Sequence, residues 1–177
     1  MKKTLQPPKA DDEQRLCFQT RLQKYREEGC EIIDVDESGF AKDMPRCRGY
    51  SIRGKRCYGK QAWQAKGLTH VIGALLNNKL MTICTFQSTI DSEVFNAWVT
   101  QDLLPKTSLG AIIVMDNASF HKKEATQTAI EEAGCTLEFL PTYSPDLNPI
   151  EHKWAQEKAI RRKLRCSVDE IFQQAFI

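Results

Sequence analysis

The chain has 177 residues, 41% of them hydrophobic, which is enough for one globular domain with its own core and excludes two large ones. No segment approaches the roughly 20 apolar residues that cross a bilayer, and seven cysteines without a CxxC pair exclude a disulfide scaffold and read as reduced thiols of an unexported, cytoplasmic protein. The formal net charge of +2 averages over two basic blocks, which supply the phosphate attraction used by nucleic-acid binders: Arg46, Arg48, Arg53, Lys55, Arg56, Lys60 and Lys66 without an acid among them, then Lys153, Lys158, Arg161, Arg162, Lys163 and Arg165.

Taken in chain order, residues 1–10 read as an entry segment, because Pro7 and Pro8 block helix. Leu16, Leu22 and Tyr25 at helical intervals predict a helix over about 11–28, with Asp11, Asp12 and Glu13 at its positive end. Glu31-Ile-Ile-Asp-Val-Asp36 is β-branched and predicts a strand with Asp34 and Asp36 on one face, Ile33 and Val35 on the other, ending in a turn at Glu37-Ser38-Gly39. A charged hairpin is expected around Gly54, and a second over 70–86 with Asn77-Asn78 at its tip. From Ser92, the apolar residues Val94, Phe95, Trp98, Val99 and Leu103 mark a helix that Pro105 ends. Ala111-Ile-Ile-Val-Met115 reads as a strand buried on both faces, with Asp116 at its C-terminal end. A helix over about 122–133 stops at Gly134, a short strand covers 136–140, and a proline-rich loop leads to the last long helix. That helix starts with Asn148 as N-cap, Pro149 in its first turn and Glu151 three residues beyond the cap; Ile150 and Trp154 form its inward stripe. Ser167-Val-Asp-Glu170 is a capping box that opens a final short helix.

Asp36, Asp116 and Glu151 stand at strand ends or a helix start, where α/β folds gather functional groups. Carboxylates from separate elements suit hard divalent ions, which clamp the attacking and leaving oxygens of a phosphodiester. Each acid also has a plain structural reading: Glu151 as a helix cap, Asp116 and Asp36 as turn residues. Three segments decide more: Asp36-Glu-Ser-Gly-Phe40, Val114-Met-Asp-Asn-Ala-Ser-Phe-His121 and Leu140-Pro-Thr-Tyr-Ser-Pro-Asp-Leu-Asn-Pro-Ile-Glu151. Together they resemble the three catalytic motifs of the mariner superfamily of transposases, closest to the bacterial insertion-sequence-630 group. The 34 residues between Asp116 and Glu151 match the separation familiar there.

The resemblance implies a ribonuclease-H-like fold, a central mixed five-stranded sheet flanked by helices, over residues 30–177, preceded by a linker and helix over 1–29. It assigns Asp36, Asp116 and Glu151 as catalytic ligands of two Mg2+ or Mn2+ ions, with Asn117 and His121 supporting them. Asp34 is the nearby competitor on the strand, disfavoured by the motif's register. The resemblance implies cleavage at transposon ends and transfer of the freed 3′-hydroxyl into target DNA at a TA site, by a homodimer acting at the bacterial nucleoid. A nuclease of the same fold without strand transfer, and an inactive DNA-binding remnant, remain the alternatives. Only about 30 residues precede the first motif, so the helix-turn-helix module of complete members is expected from a partner or a fused upstream frame. DNA contacts are expected from Arg46, Arg48, Arg53, Lys55, Arg56, Lys60, Arg161 and Arg162.

Overall fold

The computed structural model describes residues 9–42, 51–56, 58 and 67–175. Helix α1 (Asp12–Glu27) opens where the Asp11 carboxylate accepts the N–H groups of Glu13 and Gln14, and Gly29, at φ +80°, turns the chain after it. Its buried stripe is Arg15, Phe18 and Leu22, with Tyr25 partly covered, while Leu16 faces out. Leu22 and Tyr25 thus lie on the expected apolar face and only Leu16 is corrected, because residues 18, 22 and 25 follow the helical period better than 16 does.

Strand β1 (Ile32–Ala41) pairs antiparallel with β2 (Leu68–Leu76) and parallel with β4 (Ile112–Met115). β2 forms a hairpin with β3 (Lys79–Phe86) across Asn77 and Asn78, both in the left-handed region as their sequence predicts. β4 pairs parallel with β5 (Thr136–Phe139), completing a mixed sheet of order β3-β2-β1-β4-β5. The turn predicted at Glu37-Ser38-Gly39 is not there: β1 continues to Ala41, with Glu37 opposite Ile72 and Gly39 opposite His70. A long antiparallel partner overrides the turn-like local composition, so Asp36 lies inside its strand rather than at its end. Around Gly54 a turn exists, closed by Lys55 N–H to the Ile52 carbonyl, but residues 51–56 contain no strand; the rest of that expected hairpin lies outside the described residues.

Helices cover both faces of the sheet. On one face α2 (Ser92–Trp98), its π-helical continuation Val99–Leu103 and α3 (Glu124–Glu132) bury Phe95, Trp98, Leu103 and Ile130 against Ile33, Val35, Ile113 and Met115. On the other, α1 sets Phe18 and Leu22 on Ile112, Val114 and Leu140. Beside it α4 (Pro149–Leu164) and α5 (Val168–Ala175) pack Ile150, Trp154 and Phe172 on Phe40, Val71 and Leu75. The predicted capping box of α5 is reciprocal: Ser167 N–H donates to Glu170 and Glu170 N–H to the Ser167 hydroxyl.

Candidate active site

Parallel pairing sets the frame of the site. Asp34 lies opposite Val114, so two residues further along each strand Asp36 and Asp116 come side by side. The first turn of α4 brings Glu151 to the same place, and all three carboxylates line one cleft of about 290 Å3. The segment from Leu140 to Pro145 and Asn148 form its opposite wall. Asp34 shares the strand face of Asp36 but opens on a separate cleft with Arg26, Asn77 and Asn78.

The carboxylates differ in surroundings. Asp36 is 8% exposed, and burial, reinforced by Glu151 and Glu37 nearby, pushes its carboxyl up to about 8. The Trp154 indole N–H donates to Asp36 Oδ2 at 3.1 Å. Asp116 is held below the usual carboxylate range, first by its hydrogen bond from His121. Its Oδ1 lies 2.7 Å from His121 Nδ1 and accepts the Ala118 N–H at 2.8 Å. His121 is wholly buried against the Phe95 ring, and its Nε2 meets Glu37 Oε1 at 2.8 Å. Burial lowers the imidazole's proton affinity, but the bonds to Asp116 and Glu37 overcome this and raise it to about 9, so the ring carries a proton at neutral pH. Glu151 is exposed at the rim, and the Asn148 N–H donates to the Pro145 carbonyl rather than to a capping Glu151 side chain.

Sequence reasoning missed Glu37 and Trp154 as parts of this site. Glu37 had a signal in its place beside Asp36; Trp154 had only its position three residues after Glu151. Asn117 donates its amide to the Leu140 carbonyl, joining the two walls of the cleft. Asn148 stands at the expected N-cap, yet its side chain makes no capping bond and its buried Oδ1 has no partner among the described residues. The far wall is braced from α1: Arg15 grips Asp146 with two hydrogen bonds of 3.0 and 2.6 Å.

The basic residues divide. Arg53, Lys55, Arg56 and Arg162 are exposed, while Arg46, Arg48 and Lys60 lie outside the described residues. Arg161 corrects the expectation of a DNA contact: it is buried, with its guanidinium donating to the carbonyls of Ala41 and Cys166. Lys153 pairs with Glu157, and Lys158 lies over the Phe40 ring, so part of the second basic block braces the fold.

Asp36, Asp116 and Glu151 are the residues that could hold divalent cations. The donor set fits: hard oxygens from three elements face one cleft, and burial first, then the neighbouring Glu151 and Glu37, raise Asp36 in the way that a nearby positive charge relieves. Among the described residues, no group of three or more His, Cys, Asp or Glu side chains is drawn together tightly enough to hold a metal ion, so the three acids share a cleft rather than a closed ligand shell.

The mixed five-stranded sheet flanked by helices is a ribonuclease-H-like fold, and comparisons with known proteins agree on it. A structure of the Mos1 transposase paired-end complex with the left transposon end superposes with a TM-score of 0.70 at 16% identity, covering 91% of this chain and 52% of that one. The mariner Mos1 paired-end complex with Mn gives 0.67 at 13% identity, covering 99% and 62%. The isolated catalytic domain of Mos1 mariner transposase gives 0.56 at 12% identity, covering 99% and 90%. The chain thus spans about half the length of the first of these relatives. No curated protein matches it. The family model described as DDE superfamily endonuclease matches residues 31–171, and the chain belongs to that family. No helix among the described residues is long and apolar enough to cross a membrane.

Proposed function

We propose that this chain is the catalytic domain of a DNA transposase of the mariner superfamily, in its bacterial insertion-sequence-630 group. The observation that carries the reading is the convergence of Asp36, Asp116 and Glu151, from two strands and a helix, on one cleft. These carboxylates hold two divalent ions, Mg2+ or Mn2+. When bound, such ions activate water for attack on a phosphodiester and stabilise the leaving 3′ oxygen. The chain's own residues do the positioning. His121 holds one oxygen of Asp116 and leaves the other for the ions, and Glu37 fixes the imidazole from its far side. Asn117 and the Arg15–Asp146 pair keep the Leu140–Pro145 wall in place beside the scissile strand. Hydrolysis frees a 3′-hydroxyl, and the same site then directs that hydroxyl onto a phosphodiester of target DNA, at a TA step.

Exposed Arg53, Lys55, Arg56 and Arg162, with Arg46, Arg48 and Lys60, contact DNA phosphates. Pairing of two transposon ends calls for a homodimer, with end recognition shared with a helix-turn-helix segment or partner. The setting is the bacterial cytoplasm, at the nucleoid. The decisive experiment is Mg2+- or Mn2+-dependent nicking of DNA: Asp116→Asn is expected to abolish it in a folded protein, and undiminished nicking would remove Asp116 from the site. Joining of a precut transposon end to a plasmid separates a transposase from a nuclease of the same fold.

A further inference from the structure

We propose that Trp154 is a positioning residue for Asp36, seated by Gly73, and that it locks the spacing between Asp36 and Glu151. The inference rests on the reading of those two acids as metal ligands. Three observations meet here. The buried indole N–H donates to Asp36 Oδ2 at 3.1 Å across 118 positions of sequence, leaving the other carboxylate oxygen for a ligand. Gly73 lies directly opposite Asp36 in the β1–β2 register, and a Cβ there would come within 2.6 Å of Trp154 Cη2 and 3.0 Å of Cζ2. Only glycine leaves room for the indole to cross β2 and reach β1. Finally, Trp154 sits one helical turn after Glu151, so its hydrogen bond ties the rotation and height of α4 to the strand that carries Asp36.

The ring is wedged edge-on between Phe40 and Phe172, with centroids 6.3 and 6.2 Å away, so it has little freedom to turn its N–H elsewhere. Packing alone would be served by any large apolar ring. The N–H aimed at a carboxylate is what a packing role does not require.

The test is Mn2+ binding to the whole chain, followed by electron paramagnetic resonance, in the wild type and in Trp154→Phe, Gly73→Ala and Asp36→Asn. Trp154→Phe and Gly73→Ala are expected to weaken Mn2+ binding by about tenfold or more, the usual cost of losing a group that orients a metal ligand. An isosteric benzothienylalanine at position 154, with sulfur in place of the N–H, is expected to do the same and decides the matter if the phenylalanine variant does not fold. Loss of binding in Asp36→Asn with wild-type binding in the folded position-154 variants overturns the role of Trp154 alone. Unchanged binding in Asp36→Asn overturns the metal-ligand reading and the proposal with it. In metal-free protein, the Trp154 indole 15N–1H resonance is expected to shift in Asp36→Asn and on Mg2+ titration; an unmoved resonance overturns the hydrogen bond.

Discussion

Burial disfavours the charged form of a carboxyl group, and Asp34 shows that effect beside the site. Burial pushes it up to about 7 from 3.8, with Arg26 only partly offsetting. The folded chain therefore keeps a proton that the unfolded chain loses between these values, so this residue's effect on stability worsens as pH rises through that window. Asp34→Asn is expected to raise stability by about 1–3 kcal/mol at pH 8 and by less at pH 4, measured by urea denaturation. It should leave nicking intact, whereas Asp36→Asn should not, which distinguishes the two aspartates of the strand. Both were legible as one face of β1 from alternation alone. What no local pattern revealed was which groups they meet. Trp154 reads as a core residue, and its partner is 118 positions away. Arg161 reads as part of a basic block, yet carbonyls of Ala41 and Cys166 claim it. Glu37 reads as a turn residue, yet its carboxylate faces a histidine 84 positions on.

Elements were more legible than their contacts. The Asn77-Asn78 hairpin, the buried β4 with Asp116 at its end, the Gly134 stop and the α5 capping box all follow from backbone preferences acting within a few residues. The full length of β1 did not, because nine cross-strand pairs with β2 hold Glu37, Ser38 and Gly39 extended against their composition. Helix α1 also gained a role. Read as an entry helix ahead of the domain, it proves to bury Phe18 and Leu22 against β4, under the strand that delivers Asp116. Phe18→Ala is expected to cost about 3–5 kcal/mol of stability, checked by urea denaturation, because the cavity opens beneath a strand that is itself buried on both faces.

At the scale of the whole molecule, charge pairs fasten α1 to the chain's later half. Arg15 holds Asp146, while Arg21 and Tyr25 both donate to Glu138 on β5. Asp146 is held below its usual range chiefly by the Arg15 hydrogen bond, so its contribution is present above the unfolded value near 4 and is lost as pH falls through the lower folded one. Melting temperature is expected to drop more steeply below pH 4 in the wild type than in Arg15→Met, which lacks that contribution already; parallel profiles by differential scanning calorimetry would contradict this. The family match begins at residue 31, after α1. A protein engineer who trims the domain at that boundary would strip the cover from Ile112, Val114 and Leu140 and release Asp146 from its arginine. The result would be an aggregation-prone enzyme with one wall of its cleft adrift, so the smallest version worth purifying starts no later than Asp11, the cap of α1.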